Sequence, residues 1–295
     1  MPADLHLRGN PGRRPRLSDA ETEERMLTAG VEFVRQHGLS LSLEHLSMED
    51  LIKEAGVSRT SSYRRWPTKD QFAADLLLRL ARAPITSDLG YLVSAIEEIP
   101  DEAFAHLDTE QGRLDALVEV ERATMVADFA ATVGSPRWQA YIVLRAAHIG
   151  LPEGEVRTQI AAALRDTERT FTQRRARVFA TVAALLGRRL RDPDAVGWDA
   201  LADAVSATVT GMVVRAWSDP DAVTATRPLA PFGTSRVAEW NTAGLAAASL
   251  FLDATEPDPA VTWDDARVAR LRAALADVAG TLDALWAGAT AQSAS

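Results

Sequence analysis

Cysteine is absent from the 295 residues. Disulfides, thiolate metal sites and a cysteine nucleophile are therefore excluded, and a reducing, cytoplasmic setting is the expectation. Long apolar runs are missing as well: no stretch of about 18 consecutive apolar residues occurs, so no membrane-spanning helix is expected. The opening residues, MPADLHLRGNPGRRPRLS, contain no apolar segment of the kind a secretory signal needs. Lysine is nearly missing, since Lys53 and Lys69 are the only lysines among 32 basic residues. The five histidines (His6, His37, His45, His106 and His148) show no ligand spacing, and neither a His-Glu-x-x-His run nor a Gly-rich phosphate loop is present. No metal, no cofactor and no catalytic activity are expected, and no pair of the many carboxylates stands out for acid–base work.

What is present is an ordinary globular composition, 47% hydrophobic and 25% charged, with a net charge of −9. That acidity at first argues against a nucleic-acid partner, but its distribution matters more than its sum. Residues 1–82 hold 13 basic and 12 acidic residues, whereas the remainder holds 19 and 29. Positive charge gathers in a Pro/Gly/Arg-rich arm over residues 1–17 (Arg8, Arg13, Arg14, Arg16) and again between Ser58 and Lys69, where Arg59, Arg64, Arg65 and Lys69 stand without a single acid. A flexible basic arm suits the backbone or minor groove of a duplex. An acidic body behind a locally basic head limits non-specific binding and leaves one face able to meet phosphate.

The basic stretch is set among helix signals. Ser18-Asp19-Ala20-Glu21 reads as a capping box opening a helix that Gly38 stops. Ser47-Met48-Glu49-Asp50 opens a second helix. Gly56 suits a tight turn, Ser58 is a good N-cap for a short third helix, and Trp66-Pro67 ends it. Thr68-Lys69-Asp70-Gln71 then opens a fourth helix reaching Ala83. Residues 18–83 thus form a three-helix head with a linker helix. A short, hydroxyl-rich, basic helix behind a Gly turn is suited to entering a major groove.

The run Ala55-Gly56-Val57-Ser58-Arg59, then Tyr63, then Trp66-Pro67-Thr68-Lys69-Asp70 resembles the helix-turn-helix of the TetR family of transcriptional regulators, over about a fifth of the chain. Three positions depart from the family pattern. Ser62 stands at a usually apolar site, Arg65 at a usually aromatic one, and Ile52 at a usually small one. A buried Ser62 without a partner would cost about 1–3 kcal/mol, so it is expected to bond backbone. The resemblance implies an all-α dimer that binds double-stranded operator DNA through the head and a small-molecule effector through the body. Arg59 and Arg64 are the candidates for guanine edges, Thr60 and Ser61 for a thymine methyl or phosphate, and Tyr63, Lys69 and Ser47 for phosphate positioning; Arg65 is a further phosphate candidate. Tyr63 and Lys69 match family positions that contact the backbone.

Residues 84–295 are Ala-rich and helical in pattern, with no strand alternation and no internal repeat. Residues 89–108 look broken around Pro100. Helices are expected over about 110–133, from Ser135-Pro136 onward, in one stretch from Pro152 to about Arg191 (roughly 60 Å at ~1.5 Å per residue), over 197–217, over 236–254 and over 264–287, with a loop at 218–234. The family dimerises through two late helices, which here are most simply 197–217 and 236–254, rich in small residues. Helix 264–287 extends that interface or covers a pocket. Met125, Phe129, Trp138, Tyr141, His148, Phe171 and Trp217 lie in the middle helices and are candidates to line an effector cavity, although each alone suits ordinary core. The resulting expectation is a homodimeric repressor on a palindromic operator, released by an effector. The rival is a helical enzyme or interaction scaffold with a vestigial head, for which a convergent polar site deep in residues 110–217 would speak.

Overall fold

A computed structural model describes residues 17–39, 45–83 and 90–280. The basic arm, apart from Leu17, lies outside them. The head comprises α1 (Asp19–His37), α2 (Met48–Ala55), α3 (Arg59–Arg65) and α4 (Lys69–Arg82). Each begins where the sequence offers a hydroxyl. Ser18, Ser47, Ser58 and Thr68 accept hydrogen bonds from the amides of Glu21, Asp50, Ser61 and Gln71, and Ser18 and Glu21 complete a reciprocal capping box. Met26, Leu51, Trp66, Phe72 and Leu76 fill the head's interior, with Ile52 buried at the crossing.

The body continues with α5 (Gly90–Glu97), a short 3₁₀ turn at Asp101–Phe104, α6 (Glu110–Val133), α7 (Pro136–Gly150) and α8 (Glu155–Leu185). It closes with α9 (Trp198–Ala216), the single turn α10 (Asp221–Thr224), α11 (Thr242–Ala254) and α12 (Asp265–Ala276). Pro136 sits in the first turn of α7 behind the Ser135 cap, as its fixed φ and missing N–H allow. Leu117, Phe129, Phe179, Val205, Val209, Val213, Trp240 and Phe251 belong to one continuous body core. α8 belongs to both cores: Ile160, Ala163 and Leu164 pack with the head, and Ala176, Phe179 and Ala183 with the body.

Among the described residues the fold is all-α except for two short antiparallel ribbons, which no strand alternation in the sequence signals. β1 (Arg188–Leu190) pairs with β4 (Thr255–Pro257), and β2 (Arg227–Leu229) with β3 (Ala238–Trp240). They account for the misplaced helix ends. The long helix starts at Glu155 and stops at Leu185, so it measures about 46 Å rather than 60 Å. Gly187 then takes φ 65°, with the Trp263 ring 3.0 Å from where a Cβ would stand, and sends the chain back as β1. Val156, in the first turn of that helix, is exposed. The helix expected from 236 begins at Thr242, because Ala238–Trp240 is drawn into the ribbon and Asn241 caps the amide of Gly244 instead. The expected loop at 218–234 contains α10 and β2. Asp264 caps α12, which stops at Ala276 with Asp277 as its C-cap, short of the end expected near residue 287; that position lies outside the described residues.

Gly112 in α6 lies against the preceding turn, where an added Cβ would fall 1.9 Å from the His106 carbonyl oxygen. A backbone atom there cannot swing aside. Gly112→Ala is expected to destabilise the chain by about 1–3 kcal/mol, read from urea denaturation midpoints. Gly150→Ala, where nothing lies within 4 Å of the added carbon, should be neutral or slightly stabilising; equal effects at the two sites would refute this packing.

Candidate nucleic-acid interface and body cavity

The turn before α3 depends on Gly56, whose backbone is left-handed (φ 63°, ψ 34°). Ser58 caps the Ser61 amide at 3.0 Å. Ser62 is fully buried, and its hydroxyl donates to the Ser58 carbonyl at 3.1 Å, which meets the need for a backbone partner. The far end of α3 is fixed by Trp66. Its ring is fully buried edge-on to Phe72 (5.0 Å between centroids), and its Nε1–H donates to Asp75 Oδ2 at 2.8 Å. α3 is therefore held at both ends while its outer face stays free: Arg59, Thr60, Arg64 and Arg65 are exposed, and Ser61 and Tyr63 are half-buried. Lys69 is half-buried in the first turn of α4. Ser47 caps α2 by accepting from the Asp50 amide at 3.3 Å.

The acid-free span of sequence is ringed by acids from elsewhere in the head. Arg59 pairs with Glu49 at 3.0 Å, and the Tyr63 hydroxyl donates to the same carboxylate at 2.9 Å, which raises the phenol's pKa. Arg64 pairs with Asp19. Arg65 bonds Glu23 at 2.8 Å and Asp75 at 3.0 Å while stacking over Trp66, and the Glu23 bond holds its guanidinium pKa up. These partners come from α1, α2 and α4, between 10 and 45 residues away, so charge counting along the chain misses them. Exposed pairs of this kind each contribute about 0–1 kcal/mol. They lower the positive field of α3 without fixing its side chains in place.

In the body, α5, α6 and α8 line an apolar, partly open cavity of about 80 Å³. Met125 and Phe171, two of the expected lining residues, do face it, together with Phe179 and Val182. Trp138 and Tyr141 line two larger hollows instead, one of about 500 Å³ between α7 and the head and one of about 740 Å³ between α7, α8 and α9 that Phe171 shares; Trp138 lies edge-on to both Tyr141 (5.8 Å) and Phe171 (5.5 Å). Phe129 belongs to the body core, His148 sits near the end of α7, and Trp217 is partly exposed just past α9. None of these three lines the cavity.

The polar groups of the cavity went unrecognised in the sequence. Asp128 is buried and doubly engaged: Tyr91 donates to one oxygen at 2.8 Å and Arg175 to the other at 2.9 Å. Glu121, seven residues earlier on α6, is 2% exposed, and its Oε2 has no hydrogen-bond partner among the described residues. Burial pushes its pKa to about 8, against the opposing pull of the Arg188 guanidinium. Arg188 is itself held by Thr255, through its hydroxyl at 3.1 Å and its carbonyl at 2.6 Å. The sequence carries no signal for Glu121, because Glu119 and Arg122 (paired at 2.5 Å) surround it with charge that reads as ordinary helix surface. Among the described residues, no group of three or more His, Asp or Glu could hold a metal ion, and no helix is long and apolar enough to cross a membrane.

No protein-family model and no curated protein matches the chain. Among solved structures it is similar to a structural-genomics protein of Rhodococcus sp. RHA1 provisionally assigned as a transcriptional regulator, at 12% identity over 78% of this chain and 92% of that one, TM-score 0.42. It is similar also to a TetR-family transcriptional regulator of Agrobacterium tumefaciens, at 14% identity over 68% and 90%, TM-score 0.39. A third is SmeT, the repressor of the Stenotrophomonas maltophilia multidrug efflux pump SmeDEF, at 17% identity over 82% and 95%, TM-score 0.36.

The buried acid has a measurable consequence. With a folded pKa of about 8 against a usual 4.5, Glu121 keeps a proton in the folded chain that the unfolded chain has released. Its contribution to stability is full below pH 4.5 and is lost as pH rises through about 8. Glu121→Gln should therefore stabilise the protein increasingly from about pH 5 to about pH 9. Urea midpoints of variant and wild type that run parallel over that range would contradict the assignment.

Proposed function

We propose that the chain is a DNA-binding transcriptional regulator, a homodimeric repressor that holds a palindromic operator through α3 and is released by a small effector bound in the body. The observation that carries this reading is the mounting of α3. A seven-residue helix is clamped by Gly56, Ser58, Ser62 and Trp66, with a face of Arg59, Thr60, Arg64 and Arg65 turned to solvent. Such a rigidly held polar face suits base-edge readout, in which each good contact discriminates by about 1–3 kcal/mol. Arg59 and Arg64 are assigned to bases, Thr60 and Ser61 to a methyl group or phosphate, and Ser47, Tyr63, Arg65 and Lys69 to the backbone. Base edges replace Glu49 and Asp19 as partners of Arg59 and Arg64, and phosphate replaces Glu23 and Asp75 as the partner of Arg65, so binding exchanges pairs within the head for contacts to DNA.

One short helix reads too few base pairs for a useful specificity ratio, which calls for a two-fold dimer with heads about 34 Å apart. The outer face of α9 is suited to pairing. Ala204, Ala207 and Gly211 are exposed there beside Val214 and Trp217, and a Cβ on Gly211 would meet nothing within 4 Å. The small residues of α11 behave differently, since Ala243, Gly244, Ala247 and Ala248 are buried in the chain's own core. α9 is therefore the principal seam. α8 joins the effector cavity to the head, as it lines the cavity and packs against α4.

A second reading has one observation in its favour. Glu121, Asp128, Arg175 and Tyr91 form a polar group deep in the body, as an enzyme would need. Both oxygens of Asp128 are already engaged, and the Thr124 hydroxyl that lines the cavity donates to the Val120 carbonyl at 2.8 Å rather than to a base. Positioning for binding fits this group better than turnover does.

In gel shifts on the DNA upstream of its own reading frame, the double variant Tyr63→Phe, Arg64→Ala should lose the specific complex while still sedimenting as a dimer. Undiminished binding would remove α3 from the interface. Separately, Ala207→Glu with Gly211→Glu should yield a monomer in sedimentation velocity with unchanged helicity by circular dichroism; a persistent dimer would exclude this face of α9.

A further inference from the structure

The body cavity is incomplete in one respect. Asp128 is satisfied by Tyr91 and Arg175, and Arg188 by Thr255. Glu121 alone among these groups presents a buried oxygen, Oε2, with no partner. An unpaired polar atom inside an apolar cavity is costly, and it is resolved by a ligand that carries the missing donor. The rest of the wall asks for hydrocarbon: Met125, Phe171, Phe179 and Val182 surround the space. Its volume of about 80 Å³ falls below the ~150 Å³ of a cavity that takes up benzene. The complement is thus a short, compact hydrocarbon bearing one strong hydrogen-bond donor.

We propose that this cavity is a specific site for a small hydrophobic primary amine, whose ammonium pairs with the Glu121 carboxylate while its hydrocarbon fills the space against Phe171 and Phe179. The assignment rests on the reading of the body as an effector-binding domain. An anionic ligand is disfavoured, because it would meet Glu121 and Asp128 while the nearer guanidinium, Arg175, is already committed to Asp128. A neutral alcohol gains one hydrogen bond but no ion pair. The charged groups around Glu121 are Arg188 on β1, which acts on it directly, and Asp128 on its own helix and Arg175 on α8, which line the same cavity. Of these, Arg188 opposes the ammonium, and its pull is tempered by the Glu256 carboxylate nearby.

The proton balance gives the site a signature. Near neutral pH the unliganded Glu121 is protonated and a primary amine in water is already an ammonium ion. Formation of the pair therefore expels the carboxyl proton to solvent, one proton per ligand, while the amine keeps its own.

The test is calorimetry on the full chain at about pH 7, in two buffers of different ionisation enthalpy. The probes are propylamine, the near-isosteric 1-propanol, and propanoate, each with fewer heavy atoms than benzene. The amine is expected to bind at least about tenfold more tightly than the alcohol, with release of close to one proton, and the carboxylate to bind most weakly. Glu121→Gln should erase both the preference for amine and the proton release while retaining the alcohol. Equal binding of amine and alcohol, preference for the carboxylate, absence of proton release, or no binding of any probe would each overturn the proposal. Gel shifts without ligand separate this result from the regulator reading. A specific DNA complex with no amine binding sinks the ligand class alone, whereas amine binding without any specific DNA complex sinks the regulator and leaves the site.

Discussion

The constraint on which the structure depends is that one helix serves two cores. Through Ile160 and Leu164, α8 closes the head cluster against α4 and α7, and through Ala176, Phe179 and Ala183 it closes the body against α9. The Thr167 hydroxyl adds a fixed point, donating to the Ala81 carbonyl near the end of α4 at 2.8 Å. Two separately packed modules joined by a linker would reorient independently. Here the close packing of side chains on a common rod resists that, since interiors at crystal-like density pass a displacement on to their neighbours. The N-terminal half of this rod packs on the head through α4, and its C-terminal half lines the cavity.

Charge is handled in opposite ways at the two ends. On the head, arginines are exposed and matched to carboxylates in water, where each pair is weak and exchangeable. Such a surface stays soluble without a partner and can still yield its cations to phosphate. In the body, charge is removed from water and each group is committed. Asp128, Arg175 and Tyr91 form one closed set, and Arg188 is tied to the β4 backbone. Glu121 is left over and responds by holding its proton. The same residue type thus serves as a loose counter-ion near the head surface and as a neutral, poised acid inside the body.

Most of the helices could be read from the sequence, because their start signals are local. Ser18, Ser47, Ser58, Thr68, Ser135 and Asn241 lie within three residues of the amides they cap. What escaped depends on partners far along the chain. β1 exists because residues 255–257 lie beside it, some 67 residues later, and the helix before it was accordingly drawn too long. Trp240 left the predicted helix for the same reason. At the candidate interface the local facts were legible: Gly56, the Ser58 cap and the need of Ser62 for a backbone partner. The carboxylates neutralising α3 were not, because Asp19 and Glu49 meet it only through the fold. In the cavity, Met125 and Phe171 could be named as candidates from their place in the middle helices. Glu121 could not, because a carboxylate at a helix position reads as solvent-facing until burial is known.

In the proposed switch these features combine quantitatively. An effector shifts an equilibrium only by its differential affinity for two arrangements, about 5.5 kcal/mol to carry a population from 1:99 to 99:1. A small apolar ligand in a cavity of about 80 Å³ supplies little of that by area alone, given about 25 cal/mol per Å². The larger source is Glu121. The arrangement that lets its carboxylate meet a donor relieves an unpaired buried group, and any arrangement that does not retains the cost. α8 carries the result, since Arg175 and Phe179 bound the cavity and Leu164, three to four turns away, packs against the head. The differential therefore resides mainly in one carboxyl group, and the helix that senses its pairing is the one that the head is packed on.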